Sequence, residues 1–424
     1  MLDLKRIRDD PDAARKALER RGAADDLDEL LRLDAKRREL LPEIEGGRAK
    51  QNEANDAIAE AKRSGADAEP VIAEMRQVAA KVKQQEAELK EVEAERDRLL
   101  AELPNYPHPD VPDGETDEDA KLIREVGDKP EFGFEALDHL ELGERHNWIN
   151  MEAAANLSGT RFAYILGDLA MLEFSLVRFA METVRAEGFT PAIPPVLVRE
   201  HALYGTGFFP GERETIYEVP KDELFLVGTS EVSLAGLHAG EKEILADELP
   251  LRYAGFSTCF RRESGAGGRD TRGIFRVHQF DKVEMYSFVV PGESDAEHER
   301  LLAIQEKILT ALELPYRVVD IPVGDLGAPA ARKFDCEAWI PSQQRYREVT
   351  SCSNTTDFQA RRLNARFRPK AEAPPEYMHT LNGTAVAVGR TLIALLENGQ
   401  REDGSVALPA ALAQYGAPSA IPTT

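Results

Sequence analysis

An apolar stripe that alternates spacings of three and four residues is the feature that most restricts how this chain can fold. A stripe of this period lines the contact between the helices of a coiled coil. The sequence carries two copies, separated by a small polar turn at residues 64–67. The more regular, second copy consists of Val71, Met75, Val78, Val82, Leu89, Val92, Leu99 and Leu103. Two such helices joined by a short turn must fold back antiparallel, and each would be about 50 Å long.

The first copy of the stripe is less regular, which predicts a weak contact near the tip of the helix pair. It consists of Leu30, Leu33, Leu40, Ile44, Ala54, Ile58 and Ala61, with Arg37, Gly47 and Gln51 interrupting it. Pro42 predicts a kink or an interruption of the first helix. Because so long a hairpin buries little surface by itself, the periodicity is compatible with a projecting arm, a bundle pair or a dimerisation coil.

Composition divides the chain into three parts. A short helix precedes the stripe, with Asp10 as its cap, Pro11 in its first turn and Gly22 after its end. Residues 104–120 are acidic and rich in proline, which is typical of a linker. We therefore predict a helical domain at residues 1–103, a linker at residues 104–120 and a larger domain at residues 121–424.

Length and composition narrow the class of protein. The chain has 424 residues and a hydrophobic content of 42 %, which suit a globular protein with a sizeable core. No apolar run reaches the length of a membrane span, and the N-terminal segment is too charged for a secretory signal. The three cysteines match neither a disulfide framework nor a zinc pattern. We expect a reduced, cytoplasmic protein without a membrane partner.

The charge distribution points to anionic ligands in clefts. A net charge of −23 argues against nucleic acid when it is taken alone. Local patches decide contacts, however, and residues 261–276 hold five arginines against two acidic residues. Residues 345–370 hold seven basic residues against two acidic ones. An acidic protein with two concentrated arginine segments is suited to binding specific anions.

The region after residue 121 has a sequence pattern typical of an α+β fold. Runs of β-branched and aromatic residues alternate there with helical stretches and glycine turns. Residues 253–263 and 274–288 flank a glycine-rich loop and predict an antiparallel hairpin. We therefore expect an antiparallel sheet with flanking helices. Neither GxxxxGK[ST] nor GxGxxG occurs, which removes support for P-loop and Rossmann nucleotide binding.

Several residues of this region could hold a polyphosphate. Arg261 and Glu263 are two apart on a strand and share a face, although such a pair is often only a surface ion pair. The loop at residues 264–273 could close over a polyphosphate or a nucleic-acid end. Phe275 could stack on a base or lie in the core. Arg390, near the start of an apolar helix, requires an anionic partner.

These segments together resemble the class II aminoacyl-tRNA synthetases, and the whole chain resembles the seryl-tRNA synthetase family. Any one of the matching motifs would be weak, but their order and spacing are highly specific. Besides the two-helix arm they are VGTSE (227–231), FRRE (260–263), DTRG (270–273), VHQFDKVE (277–284), REVTS (347–351), SN (353–354), DFQARR (357–362), LNGT (381–384) and GR (389–390). The resemblance implies an N-terminal antiparallel coiled-coil arm followed by a catalytic antiparallel sheet flanked by helices.

The resemblance also implies roles for individual residues. The serine site would comprise Thr229, Ser230, Glu231, Arg261, Glu284 and Thr384. The ATP site would comprise Arg261, Arg262, Glu263, Phe275, Val277, Glu348, Val349, Thr350, Ser351 and Arg390. Within it, Arg261 would bind the α-phosphate as well as the seryl carboxylate, and Arg390 the outer phosphates. Glu263 would accept from the adenine amino group, and Phe275 would stack on adenine. Glu348 and Ser351 would ligate Mg²⁺.

The implied activity is that of an ATP-dependent serine–tRNA ligase. Such an enzyme makes seryl-adenylate and pyrophosphate from L-serine and ATP, and then transfers serine to the 3′ end of tRNA(Ser). The arm would reach the long variable arm of a tRNA held by the other subunit of a homodimer. The helix at residues 168–187 and the apolar, proline-rich segment at residues 189–198 would form the dimer contact. Whether tRNA(Sec) is also charged is left open by the sequence.

Three other functions are alternatives to a serine–tRNA ligase. A synthetase for threonine, proline, histidine or glycine would carry a separate C-terminal domain, for which the 34 residues after Arg390 are expected to be too few. A paralogue that activates an amino acid for a carrier protein would not need the arm. A non-enzymatic coiled-coil protein would not need Arg261, Glu263 and Arg390.

Overall fold

The computed structural model describes residues 1–65, 67–263, 270 and 272–422. The chain forms two compact units, one of residues 2–103 and the other of residues 104–424 with Met1. Within the described residues, no helix has both the length and the apolar character needed to cross a membrane.

The α-helices and strands are as follows. The helices are α1 (Leu4–Asp9), α2 (Pro11–Glu19), α3 (Leu27–Ser64), α4 (Glu69–Glu102), α5 (His139–Arg145), α6 (Met151–Ser158), α7 (Gly167–Ala186), α8 (Glu200–Thr206), α9 (Glu231–Ala235), α10 (Ser294–Ala311), α11 (Phe358–Leu363) and α12 (Val388–Gly399). The strands are β1 (Lys121–Val126), β2 (Ile149–Asn150), β3 (Tyr164–Ile165), β4 (Thr190–Ala192), β5 (Leu197–Val198), β6 (Glu218–Val219), β7 (Leu224–Leu226), β8 (Ile244–Leu245), β9 (Leu251–Phe260), β10 (Gln279–Val289), β11 (Tyr316–Asp320), β12 (Arg332–Ile340), β13 (Arg345–Thr356), β14 (Arg366–Arg368), β15 (Glu376–Tyr377), β16 (His379–Ala387), β17 (Val406–Ala407) and β18 (Ala420–Ile421).

The smaller unit contains the predicted hairpin, formed by α3 and α4. Leu40, Ile44 and Val82 are the buried residues at the centre of its seam. Val82 occupies the space opposite Gly47, where a Cβ atom would approach its methyl carbon to 2.4 Å. Glycine at that position therefore lets the two helices approach closely. Towards the tip, Ala54 is the only other seam position of α3 that is buried, which confirms the predicted weakness there.

Helix α3 continues through Pro42, so the part of our prediction that allowed an interruption at this residue is wrong. Proline removes one backbone donor and clashes with the carbonyl of the preceding turn. Pro42 is exposed, however, and the carbonyl group that loses its partner can be hydrated there. Upstream, Asp10 caps α2 by accepting from the amide of Ala13, and Pro11 begins the helix, as predicted.

The larger unit is built on one mixed, mainly antiparallel sheet. Its strand order is β1-β11-β12-β13-β16-β10-β9-β4. The parallel pair is β4 with β9, and the other neighbours are antiparallel. Helices α7, α10 and α12 contribute to the main apolar cluster together with the central strands. The predicted α+β class is confirmed.

The predicted β-hairpin is present, but its return strand is shorter than predicted. Strand β10 begins at Gln279, which pairs with Phe260, rather than at residue 274. Just before the loop, the amide of Arg262 donates to Thr215 instead of continuing the ladder. Glu263 then adopts a positive φ of 50°. The chain therefore leaves the sheet at residue 261, and residues 274–277 line a cavity instead of forming a strand.

Residues 104–120, which their composition predicts to be a linker, pack on the larger unit. The side-chain amide of Asn105 is buried and donates to the carbonyl oxygens of Pro329 and Thr355, each at 2.9 Å. It also donates to the hydroxyl of Thr356 at 3.0 Å.

Candidate active site

A cavity of about 160 Å³ lies where β10, β13 and β16 meet the start of α12. It brings together most of the residues that the sequence analysis proposed, although they are spread over more than 160 positions of the chain. Those that line it are Thr229, Glu231, Arg261, Glu263, Phe275, Val277, Glu284, Glu348, Val349, Ser351, Thr384 and Arg390. Along β10 and β16, residues that are two positions apart have side chains on the same face of the sheet.

One end of the cavity is formed by buried carboxylates and hydroxyls. Glu284 and Thr384 are directly paired across β10 and β16, and the Thr384 hydroxyl donates to the Glu284 carboxylate at 3.3 Å. Lys282 donates from Nζ to the Thr229 hydroxyl at 2.7 Å and forms an ion pair with Glu284. These four side chains are all less than 10 % exposed. Such a pocket suits a small substrate with an ammonium and a hydroxyl group.

Glu231 is a second buried carboxylate at this end. It accepts from the side-chain amides of Gln359 at 2.7 Å and Asn382 at 2.9 Å. Burial, followed by the nearby charge of Glu284, raises the pKa of Glu231 to about 7. This carboxyl therefore changes its charge close to neutral pH.

The amide of Gln359 is held in one orientation by a buried network. Its oxygen accepts from the hydroxyls of Tyr286 at 2.7 Å and Thr380 at 3.0 Å. Its nitrogen donates to Glu231 and to the carbonyl oxygen of Thr206. Because the oxygen is already occupied by donors, the amide presents its N–H groups to Glu231.

The other end of the cavity is cationic. Arg261 donates from Nε to the carbonyl oxygen of Gly228 at 3.2 Å, which orients its guanidinium. Arg390 donates to the backbone oxygen of Glu348 at 3.0 Å and lies 3.2 Å from its carboxylate. Burial opposes ionisation of Glu348, but the charges of Arg390, Lys333 and Arg261 outweigh it and lower its pKa to about 2.

Phe275 lines the cavity and also belongs to the main apolar cluster. The guanidinium carbons of Arg347 and Arg390 lie 3.9 Å and 4.8 Å from the centre of its ring. Arg276 reaches back to donate to Glu263 at 2.7 Å. A flat, electron-rich ring beside guanidinium groups is a surface on which a base can stack.

Three of the proposed residues point elsewhere. The Ser230 hydroxyl donates to the backbone of Gly255, and the Arg262 guanidinium donates from Nε to the backbone of Ile216. Thr350 is buried and does not line the cavity. Each of the three is adjacent in sequence to a residue that lines the cavity. Residues 264–269 and 271 of the proposed loop lie outside the described residues.

The chemistry of Glu348 and Ser351 fits a magnesium ion. Mg²⁺ prefers oxygen ligands and usually combines one or two carboxylates with phosphate oxygens and water. The ionised Glu348 carboxylate and the Ser351 hydroxyl both line the cavity. Among the described residues, no cluster of three His, Cys, Asp or Glu side chains is arranged to hold a metal by itself. A metal here would therefore depend on a nucleotide for its remaining ligands.

Sequence comparisons identify the family. Residues 1–107 match the seryl-tRNA synthetase N-terminal domain, and residues 215–399 match the tRNA synthetase class II core domain (G, H, P, S and T). The serine–tRNA ligase of Acidothermus cellulolyticus is 50 % identical over 98 % of both chains. The chain belongs to the seryl-tRNA synthetase family. This membership makes it an aminoacyl-tRNA ligase, so the predicted family and enzyme class are confirmed.

Solved structures of seryl-tRNA synthetases share the fold. The enzyme of Pyrococcus horikoshii, crystallised with ATP, superposes with a TM-score of 0.93 at 39 % identity and covers 99 % of both chains. The cytoplasmic serine–tRNA ligase of Naegleria fowleri, crystallised with AMP, has a TM-score of 0.87 at 28 % identity over 99 % of this chain and 98 % of its own. The coiled-coil arm and the class II sheet are thus features that this chain shares with the seryl-tRNA synthetase family.

Proposed function

We propose that this member of the seryl-tRNA synthetase family activates L-serine with ATP in the cavity and transfers serine to the 3′ end of tRNA(Ser). The observation that carries the proposal is the division of the cavity into two ends. Glu231, Glu284 and Thr384 form an acidic, hydroxyl-bearing end, while Arg261 and Arg390 form a cationic end. An amino acid suits the acidic end, and a nucleoside triphosphate suits the cationic end.

The acidic end would select serine by its hydroxyl. A site built to hydrogen-bond a substrate hydroxyl rejects an analogue without it, since its own buried groups would then lack partners. Glu284 and Thr384 are such groups, because both are buried and face the same cavity. Glu284 already accepts from Thr384 and pairs with Lys282. Alanine would bring no hydroxyl to the remaining acceptor capacity of this carboxylate, and threonine would need room for an additional methyl group.

The cationic end would hold ATP for attack by the serine carboxylate on the α-phosphate. Arg261 lines the same cavity as the residues of both ends, and it would bind the seryl carboxylate and the α-phosphate together. Arg390 would neutralise the outer phosphates, and Glu263 and Phe275 would hold adenine. Glu348 and Ser351 would hold Mg²⁺, which neutralises phosphate charge when it is bound. A reaction of this type depends on positioning and charge neutralisation more than on a protein base.

The hairpin of residues 27–103, within an N-terminal domain of residues 1–103, would bind the long variable arm of tRNA(Ser). Exposed basic side chains on α3 and α4 support this role, because duplex RNA is recognised mainly through its shape and its phosphates. They are Arg48, Lys50, Lys62, Arg63, Arg76, Lys81 and Lys83. Replacing residues 48–81 by a short glycine-containing turn should leave serine-dependent pyrophosphate exchange intact and abolish tRNA charging. Normal charging by this variant would contradict a role of the hairpin in tRNA binding.

A homodimer would place the hairpin of one subunit against the tRNA on the other. The contact surface of the dimer would include three exposed apolar residues, Met171 and Phe174 on α7 and Ile193 after β4. These side chains are 63 %, 69 % and 88 % exposed. Surfaces of this kind mark protein interfaces. Phe174→Glu should convert the dimer to a monomer in light scattering, and a monomeric active wild-type protein would contradict the proposal.

Recognition across the dimer can be tested with mixed subunits. A heterodimer of one shortened-hairpin subunit and one Arg261→Ala subunit has an intact hairpin facing an intact cavity. It should charge tRNA, whereas neither homodimer should. Inert heterodimers would show that the hairpin serves its own subunit.

A cytoplasmic location is part of the proposal, since Cys259, Cys336 and Cys352 are all free and buried.

The central test is an exchange assay with a panel of amino acids. Serine should support ATP–pyrophosphate exchange, while alanine, glycine and threonine should support it at least about 100-fold less well. The purified enzyme should then charge tRNA(Ser) from a panel of tRNAs, and inclusion of tRNA(Sec) in the panel decides whether it is a second substrate. Exchange that depends on another amino acid would overturn the proposed function.

A further inference from the structure

The acidic end of the cavity contains a buried cation whose position indicates a role in substrate binding. Lys282 is 6 % exposed and lines the cavity. A lysine is seldom buried to this extent unless its charge is paired. Here its ammonium group contacts two of the proposed serine-binding residues, Thr229 and Glu284.

The contacts of Lys282 join two separate parts of the chain. Lys282 and Glu284 project from the same face of β10, while Thr229 precedes α9. The ammonium group therefore links the segment before α9 to the sheet. The carboxylate oxygen of Glu284 that contacts Lys282 also accepts from Thr384. Lys282 and Thr384 together restrict the directions in which this carboxylate can turn.

Lys282 also changes the charge that a substrate meets. Without it, the two carboxylates of Glu231 and Glu284 would be offset by one cation of the proposed serine site, Arg261. Such a pocket favours a substrate with a net positive charge. With Lys282, the charges of the four ionisable side chains balance when Glu231 is ionised, and an amino acid zwitterion is also neutral overall.

We propose that Lys282 is a positioning residue that fixes Thr229 and Glu284 for serine and makes the pocket prefer the zwitterion over a hydroxyalkyl-ammonium ion. This inference rests on the proposed serine site. It differs from a merely structural role, in which the buried ion pair would stabilise the sheet without affecting the choice of substrate.

A second buried ion pair supplies a matched control. Arg252 on β9 lies 2.6 Å from Glu297 on α10, and the Glu297 side chain is 5 % exposed. Neither residue lines the cavity. Arg252→Met removes the cation of this pair, just as Lys282→Met removes the cation of the other, and both should lower the melting temperature.

Kinetics in the pyrophosphate-exchange assay separate the two roles. Lys282→Met should raise the KM for serine by about 10- to 100-fold, in line with loss of hydrogen bonds to a charged group, and change the KM for ATP by less than about 2-fold. Ethanolamine, a cation without a carboxylate, should become a better competitor relative to serine. Arg252→Met should change neither serine KM nor this preference.

Combining Lys282→Met with Glu284→Gln tests whether the lysine acts through that carboxylate. The double variant should be no worse than Glu284→Gln alone, since non-additivity is expected of coupled residues. Lys282→Arg, which keeps the charge, should restore part of the serine affinity and provides the test if the methionine variant does not fold. A wild-type serine KM in Lys282→Met, additive effects in the double variant, or no recovery by arginine would overturn the inference. Absence of serine-dependent exchange in the wild type would instead overturn the proposed function.

Discussion

The helical hairpin and the sheet-based unit place their charged residues in opposite surroundings. In the hairpin, Lys36 and Glu88 lie 3.1 Å apart with side chains that are 39 % and 42 % exposed. In the cavity, Lys282 and Glu284 are paired with side chains that are 8 % and 2 % exposed. Exposed pairs contribute little because water and salt screen them. A buried pair costs desolvation, so the presence of the Lys282–Glu284 pair in the cavity is better explained by substrate binding than by stability.

The apolar cluster of the hairpin seam is much smaller than the main cluster of the larger unit, and a matched substitution tests the effect of this difference. Leu396 lies in the main core and Leu40 in the hairpin seam, and both are less than 5 % exposed. Leu396→Ala should cost about 2–5 kcal/mol of unfolding free energy, whereas Leu40→Ala should fall at or below the lower limit. The thin seam lets the helices close on a lost side chain. Chemical denaturation of both variants measures the difference, and equal losses would contradict this account.

The next largest effect is expected from removing a cavity charge. Arg261→Ala should reduce serine-dependent exchange by about 2–4 kcal/mol of transition-state stabilisation while the circular dichroism spectrum is unchanged. Arg98→Ala in α4 makes the same substitution at an exposed ion pair with Glu102, and exchange should be unaffected. Near-wild-type exchange in Arg261→Ala would remove this arginine from the mechanism.

The proposed serine pocket should respond to pH near neutrality, because Glu231 lines it. The pKa of Glu231 is raised to about 7, from an ordinary value of 4.5, so the folded protein holds this proton more tightly than the unfolded chain. Ionisation of Glu231 therefore reduces stability as the pH rises from about 4.5 to 7. If the ionised form binds the serine ammonium, kcat/KM for serine should fall below pH 7, by at most about tenfold per pH unit.

Glu231→Gln is the control for this pH dependence. The variant should have a lower kcat/KM for serine at pH 8, and the fall below pH 7 should be absent from its profile. An unchanged acid limb in this variant would assign the titration to a different group.

The smallest effect is expected at the exposed ion pairs of the hairpin. Arg37 lies 2.7 Å from Glu93, and both side chains are about one third exposed. Arg37→Ala should change the free energy of unfolding by less than about 1 kcal/mol. A larger loss in thermal melts would show that charge pairs between the helices, rather than the apolar seam, hold the hairpin together.

Local patterns explain which parts of the fold could be predicted. The stripe from Val71 to Leu103 predicted α4 because helical periodicity is a property of neighbouring residues. The glycine-rich loop predicted the β9–β10 hairpin for the same reason. Where β10 begins could not be predicted, because Arg262 leaves the ladder for a contact with Thr215, which is distant in the sequence. The path of α3 through Pro42 likewise depended on exposure, which the sequence does not specify.

For the candidate site, the sequence by itself determined the chemical inventory and, through resemblance, the family. Arg261, Glu284 and Arg390 were identified before any geometry was known. Only the tertiary structure decided that Lys282 donates to Thr229, and that Gln359 holds Glu231. Both residues lie in motifs that the sequence displays, but a motif does not specify which groups meet. Those contacts depend on strand order and register, which bring together residues 53 and 128 positions apart in the chain, as in the bonds from Lys282 to Thr229 and from Gln359 to Glu231.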